Sequence, residues 1–87
     1  MGEQTVRCWL VERDSHQENL VTLVYATTDG ERHRTKQLSF RLLQRRETTA
    51  ARDVPVEKLA ATPAEDRDRY ATQATAMAER HDPGDPV

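Results

Sequence analysis

Arg32, Arg34 and Lys36 recur at every second position in ERHRTK, and an extended chain brings such a series to one face. Tyr25 falls beside Arg34 if Asp29-Gly30 closes a tight hairpin. Basic groups interleaved with aromatics on a sheet hold phosphates while stacking bases. Arg7, Trp9, Tyr25, Arg32, Arg34 and Lys36 therefore form a candidate nucleic-acid or partner contact, which Arg13 of the first strand would extend. The plainer reading is an edge strand whose charges repel unwanted pairing and contact an acidic C-terminal helix. Charge is segregated along the chain: residues 1–30 hold two basic and five acidic residues, 31–52 seven and two, and 53–87 four and eight. The net charge of -2 argues against a dedicated nucleic-acid binder, whose surface would be basic throughout.

Other chemistry finds little support. Cys8 sits between Arg7 and Trp9 with no nucleophile motif around it, and buried packing is its expected role. His16, His33 and His81 show no ligand spacing, and with one cysteine they make no recognisable zinc site, so neither metal nor cofactor is expected. Asp66 and Asp68, two apart on a helix, point in different directions and read as charges that compensate the helix dipole rather than as an acid/base pair. With three glycines, Gly2, Gly30 and Gly84, no glycine-rich phosphate loop can form. No catalytic constellation emerges, and the chain reads as non-enzymatic.

The elements that must position these residues follow from local pattern. Thr5 to Arg13 alternates Val6, Cys8, Leu10 against Arg7, Trp9, Val11 and is the first strand. Asp14 to Asn19 is a polar loop. Leu20 to Thr28 is β-branched and aromatic, Asp29-Gly30 turns, and Glu31 to about Leu38 returns antiparallel. A two-residue turn pairs Thr28 with Glu31, Ala26 with His33, Tyr25 with Arg34 and Leu23 with Lys36. Leu20, Thr22, Val24, Ala26, His33 and Thr35 then share one face, and Val21, Leu23, Tyr25, Arg32, Arg34, Lys36 and Leu38 the other. The central strand is apolar on both sides, so each face needs cover.

Thr62-Pro63-Ala64-Glu65 has the form of a capping box, with Thr62 at N-cap and Pro63 opening a helix that runs to Asp82. Tyr70, Ala71, Ala74, Met77, Ala78 and His81 make its inward stripe, suited to close approach on the small-residue face with Thr22, Val24 and Ala26. Between Leu38 and Leu59 the pattern suits strand and helix alike at first. Pro55 then opens a short helix toward Ala61 within the segment Asp53 to Ala61. Phe40, Leu42, Leu43, Val54 and Leu59 are the expected cover for the second face, alone or with a partner chain.

The fold class expected is thus α+β: a three-stranded antiparallel β-meander, order 1-2-3, with a short helix and a C-terminal helix packed on the sheet. One domain spans residues 1–87, with a meander at 5–38, a mixed connector with a short helix at 39–61, the C-terminal helix at 62–82 and a loose tail at 83–87. Charged residues are 32% of the chain and apolar ones 36%, too periodic for disorder and too polar for a membrane protein. Apolar runs are too short for a bilayer span or a signal peptide, and a reducing cytoplasm is the expected location.

Arginine outnumbers lysine eleven to two, isoleucine is absent, and Asp, Glu, Thr, Ala and Val abound. In this bias the whole chain, from RCWLVERD through TTDGERHRT to TPAEDRDRYATQATAMAERHDP, resembles small uncharacterised proteins of halophilic archaea. The resemblance is compositional and implies no activity. The expected function is that of a small interaction or regulatory module acting as a homodimer, since one long helix leaves one sheet face short of cover. Trp9, Val11, Val21, Leu23 and Phe40 are the dimer contacts expected, and nucleic-acid binding through the basic face is the alternative.

Overall fold

The computed structural model describes residues 4–15, 18–45 and 48–87; His16 and Arg46 lie outside these, as do parts of the first loop and of the connector. The described residues form an α+β domain with a five-stranded antiparallel sheet: β1 (Thr5–Asp14), β2 (Leu20–Ala26), β3 (Arg32–Ser39), β4 (Ala51–Pro55) and β5 (Ala60–Ala61), in the order β4-β1-β2-β3-β5. The expected meander is its centre, and the connector supplies the two outer strands. A short helix, α1 (Phe40–Arg45), follows β3, a 3-10 turn (Val56–Lys58) links β4 to β5, and α2 (Ala64–Arg80) closes the fold.

The expected register holds from Ala26 opposite His33 through Tyr25 opposite Arg34 to Leu20 opposite Ser39. The turn itself is wider than two residues. The Gly30 N–H donates to the Thr27 carbonyl at 2.9 Å and the Thr27 N–H to the Arg32 carbonyl at 3.1 Å, so Thr28 and Glu31 belong to the loop instead of pairing. Gly30 adopts φ +74°, which a side chain rarely does. Asp29 tightens the loop by accepting from the Thr27 hydroxyl and the Glu31 N–H. Those two bonds, in that order, hold its carboxyl below the usual range.

In β1 the pairing slips between Leu10 and Glu12. Leu10 lies opposite Tyr25 and Glu12 opposite Val24, leaving Val11 as the extra residue of a bulge. Before the bulge Cys8 and Leu10 share the face of Val21, Leu23 and Tyr25; after it Arg13, opposite Leu23, joins that face.

The sheet is covered on both sides by its own chain. On one side Trp9, Ala50, Ala51 and Ala74 pack with Val11, Met77 and Ala78, beside a second group of Val24, Ala26 and Tyr70. This is the α2 face, and the small side chains of Ala26, Ala51 and Ala74 let helix and sheet approach closely. On the other side Cys8, Val21, Leu23, Tyr25, Leu38 and Val54 form the larger core, closed by Leu10, Leu42, Leu43 and Leu59. The turn after β4 must cross this second face, because β4 and β5 lie on opposite edges of the sheet. Four strand spacings of about 4.8 Å make roughly 19 Å, more than the chain from Pro55 to Ala60 spans when it includes a 3-10 turn. The sheet therefore curls toward that face.

Three expectations for the connector and helix are corrected. The short helix expected within Asp53 to Ala61 is reduced to one 3-10 turn, Val56–Lys58, with Pro55 at its N-cap, and strands take the rest: Pro55 also ends a strand on the outer edge, where its missing N–H costs no ladder bond. The capping box at Thr62 does not form, since α2 starts at Ala64 with Pro63 at N-cap and no side-chain bond to the cap. The tail is not loose. The Ala51 N–H donates to the Pro83 carbonyl (3.1 Å), the Ala50 N–H to the Asp85 carbonyl (2.8 Å) and the Val87 N–H to the Thr48 carbonyl (2.8 Å). These bonds satisfy backbone groups of a buried segment that no strand pairs on that side.

Candidate functional site: a basic cleft on the sheet face opposite the long helix

The two-residue period of β3 sends Arg32, Arg34 and Lys36 to the face of Tyr25 and Leu38, away from α2. They therefore sit on the face away from the long helix, whose acidic residues are the plainer explanation for their charge. Arg52 of β4 reaches the same face because it pairs with Cys8. Lys58 lies on the turn that crosses above it. Tyr25, Arg34, Lys36, Arg52 and Lys58 line one cleft of about 240 Å³, with Asp53, Val54 and Pro55 completing the lining, so four cations face one carboxylate. The Arg52 guanidinium stands 5.9 Å from the centroid of the Tyr25 ring, within cation–π range. The Tyr25 hydroxyl donates to the Thr49 carbonyl at 3.3 Å. Arg34, Lys36 and Arg52 are half-buried, whereas Arg32 and Lys58 are exposed.

Positive charge so gathered, in a partly enclosed space with low-dielectric walls, focuses its field outward and favours an anion. Arginine adds geometry, since its planar fork matches a phosphate or carboxylate through two parallel hydrogen bonds.

Two of the expected contact residues lie elsewhere. Trp9 pairs with Ala26, not with Tyr25, and is 7% exposed beneath α2. Arg7 shares that opposite face and pairs with Asp53 at 3.2 Å. The alternation of β1 was legible, but which of its faces meets Tyr25 depends on register, and the bulge at Val11 reverses the parity for Arg13. Sequence reasoning missed Arg52 and Lys58. Five residues ending in proline, ARDVP, carry too little period to place Arg52 on a strand, and Lys58 follows in the turn after it.

Of the expected dimer contacts, Val21, Leu23 and Trp9 are buried within the chain, Val11 is half-buried against Trp9 and Tyr70, and Phe40 is 40% exposed. Leu42, Leu43 and Leu59 supply the cover that a second copy was expected to give.

Among the described residues no helix is long and apolar enough to cross a membrane. The profile of one family, described as a family of unknown function (DUF7967), matches residues 2–87. No curated protein and no solved structure matches the chain.

Proposed function

We propose that this chain, which belongs to the DUF7967 family of unknown function, is a non-enzymatic interaction module whose basic sheet face engages single-stranded nucleic acid. The observation that carries the reading is the convergence of Arg34, Lys36, Arg52 and Lys58 on one cleft, on the face that α2 leaves to the connector. A net charge of -2 does not oppose local binding, because the acidic residues of α2 occupy the other side of the sheet. Electrostatic binding of this kind weakens steeply with added salt. Anisotropy of a labelled single-stranded oligonucleotide, titrated at low and at moderate ionic strength, tests it. Binding that falls with salt and with Arg34→Ala or Arg52→Ala supports the reading, and absence of binding at low salt removes it.

Self-association is a second reading, carried by Phe40, a large apolar side chain left exposed at the start of α1. It places the dimer contact at α1 instead of on the sheet.

A further inference from the structure

We infer that the basic cleft reads the phosphodiester backbone alone and offers no platform on which bases stack, an inference that rests on the proposed nucleic-acid contact. Proteins that hold single strands without sequence preference usually pair a basic groove with exposed aromatic faces. Here the aromatics are spent elsewhere. Tyr25 is 2% exposed, its hydroxyl is held by the Thr49 carbonyl and the Arg52 guanidinium lies over its ring. Trp9 and Tyr70, each 7% exposed, lie on the opposite face beneath α2, where Tyr70 meets His33 edge-on at 5.8 Å. Phe40 is exposed, but it lines a different depression with Asn19, Ser39 and Arg41 and none of the cleft's cations. Tyr25 therefore serves as a rigid seat that orients a guanidinium, and what faces solvent is charge.

Size points the same way. At about 240 Å³ the cleft is smaller than the roughly 300–1,000 Å³ of ordinary small-molecule pockets, a size that suits one compact anionic group. Charge also continues beyond it. Arg32, Arg34 and Lys36 repeat along β3 at about 7 Å, twice the rise of a strand residue. A ladder of evenly spaced cations suits a polymer that carries one negative charge per link. The forked donors of Arg32 and Arg34 fit phosphate oxygens pairwise.

The test compares two labelled probes of equal length at the same low ionic strength: an oligothymidylate and an abasic oligonucleotide with the same phosphodiester backbone. Equal affinity within about threefold supports the inference, because each stacked base would contribute about 1–3 kcal/mol and even one would separate the probes further. A larger loss on the abasic probe overturns it while leaving the nucleic-acid contact intact. Failure of both probes to bind removes the contact itself. Arg52→Ala should weaken both probes by the same factor, and Phe40→Ala should weaken neither. A Phe40→Ala loss confined to the oligothymidylate also overturns the inference. The ratio of the two affinities is the readout, and a merely destabilised variant does not move it.

Discussion

The hydroxyl of Thr62 lies 3.1 Å from Nδ1 of His33, a bond that ties the entry of α2 to strand β3 across twenty-nine residues of sequence. Thr62 is 2% exposed, and its own N–H donates to the Glu31 carbonyl at 2.9 Å. Its side chain is thus a buried tertiary clasp in place of a helix cap. Thr62→Val keeps the shape, removes the oxygen and leaves the His33 nitrogen without this partner, at a cost of about 1–3 kcal/mol. Thr62→Ser keeps the bond and loses less. Urea denaturation of both, with His33→Ala to close a double-mutant cycle, should give a coupling near 1 kcal/mol. Additive losses would mean that Thr62 acts through the helix terminus after all.

Gly30 makes the second point of contact between the hairpin and α2. A Cβ built there collides with the Arg67 carbonyl oxygen and stands 2.8 Å from the Ala71 amide nitrogen, on a backbone already at φ +74°. Gly30→Ala should therefore destabilise by roughly 2 kcal/mol or more, through strain and displacement together. Gly84→Ala, with open space around its position, isolates the difference in thermal melts.

What the sequence made legible was local. The hairpin register follows from the turn signal at Asp29-Gly30, the two faces of β2 and the Tyr70, Ala74, Met77 stripe from a period within one segment, and all three are present. What it concealed depended on partners distant in the chain. Nothing in ARDVP identifies it as a strand until β1 offers an edge, because five residues ending in proline carry too little periodicity. The Thr62-Pro63-Ala64-Glu65 signature was overridden because His33 competes for the same hydroxyl. The tail looked loose since Asp82 to Val87 contains no pattern, yet buried amides of Ala50 and Ala51 require acceptors. For the cleft, Arg34 and Lys36 are visible as a period in β3, whereas Arg52 comes with strand β4 and Lys58 with the 3-10 turn after it.

Truncation after Asp82 tests that last relationship. It leaves the Ala50 and Ala51 N–H groups without their acceptors in a segment that is almost fully buried. The expected loss is roughly 2–4 kcal/mol, a few times that of a solvent-exposed bond, and it should appear as a lower denaturant midpoint. An unchanged midpoint would return the tail to the status of a loose end.

Cys8 gives a pH dependence. Burial first, and then the charges of Asp53 and Asp29, push its thiol up from 9.0 to about 11. The folded value lies above the unfolded one, so the thiol's contribution to stability is fully present below about pH 9. It is lost as the pH rises toward 11, where the unfolded chain gains from ionising a sulfur that the folded chain keeps protonated. The denaturation midpoint should fall over that window more in the wild type than in Cys8→Ala, whatever the cavity costs at neutral pH. A thiol reagent at pH 8 should label the native protein only as fast as it opens, and rapid stoichiometric labelling would refute the burial.

The apolar side chains of α1 separate self-association from simple cover. Leu42 and Leu43 pack onto the core of Val21, Leu23 and Leu38, whereas Phe40, at the first position of the same helix, is 40% exposed. Leu43→Ala should therefore cost about 2 kcal/mol of stability, the lower end for a leucine because the site is not fully enclosed. Phe40→Ser should leave a monomer's stability nearly unchanged. In a dimer that meets through α1, the same change removes the apolar centre of a contact in which each copy presents the same patch to the other. Light scattering coupled to size exclusion reads the outcome directly. Twice the chain mass of 10.0 kDa in the wild type, falling to the single mass in Phe40→Ser, supports the dimer at α1. A single mass for the wild type at every concentration and salt level means that Leu42, Leu43 and Leu59 meet the whole need for cover within one chain.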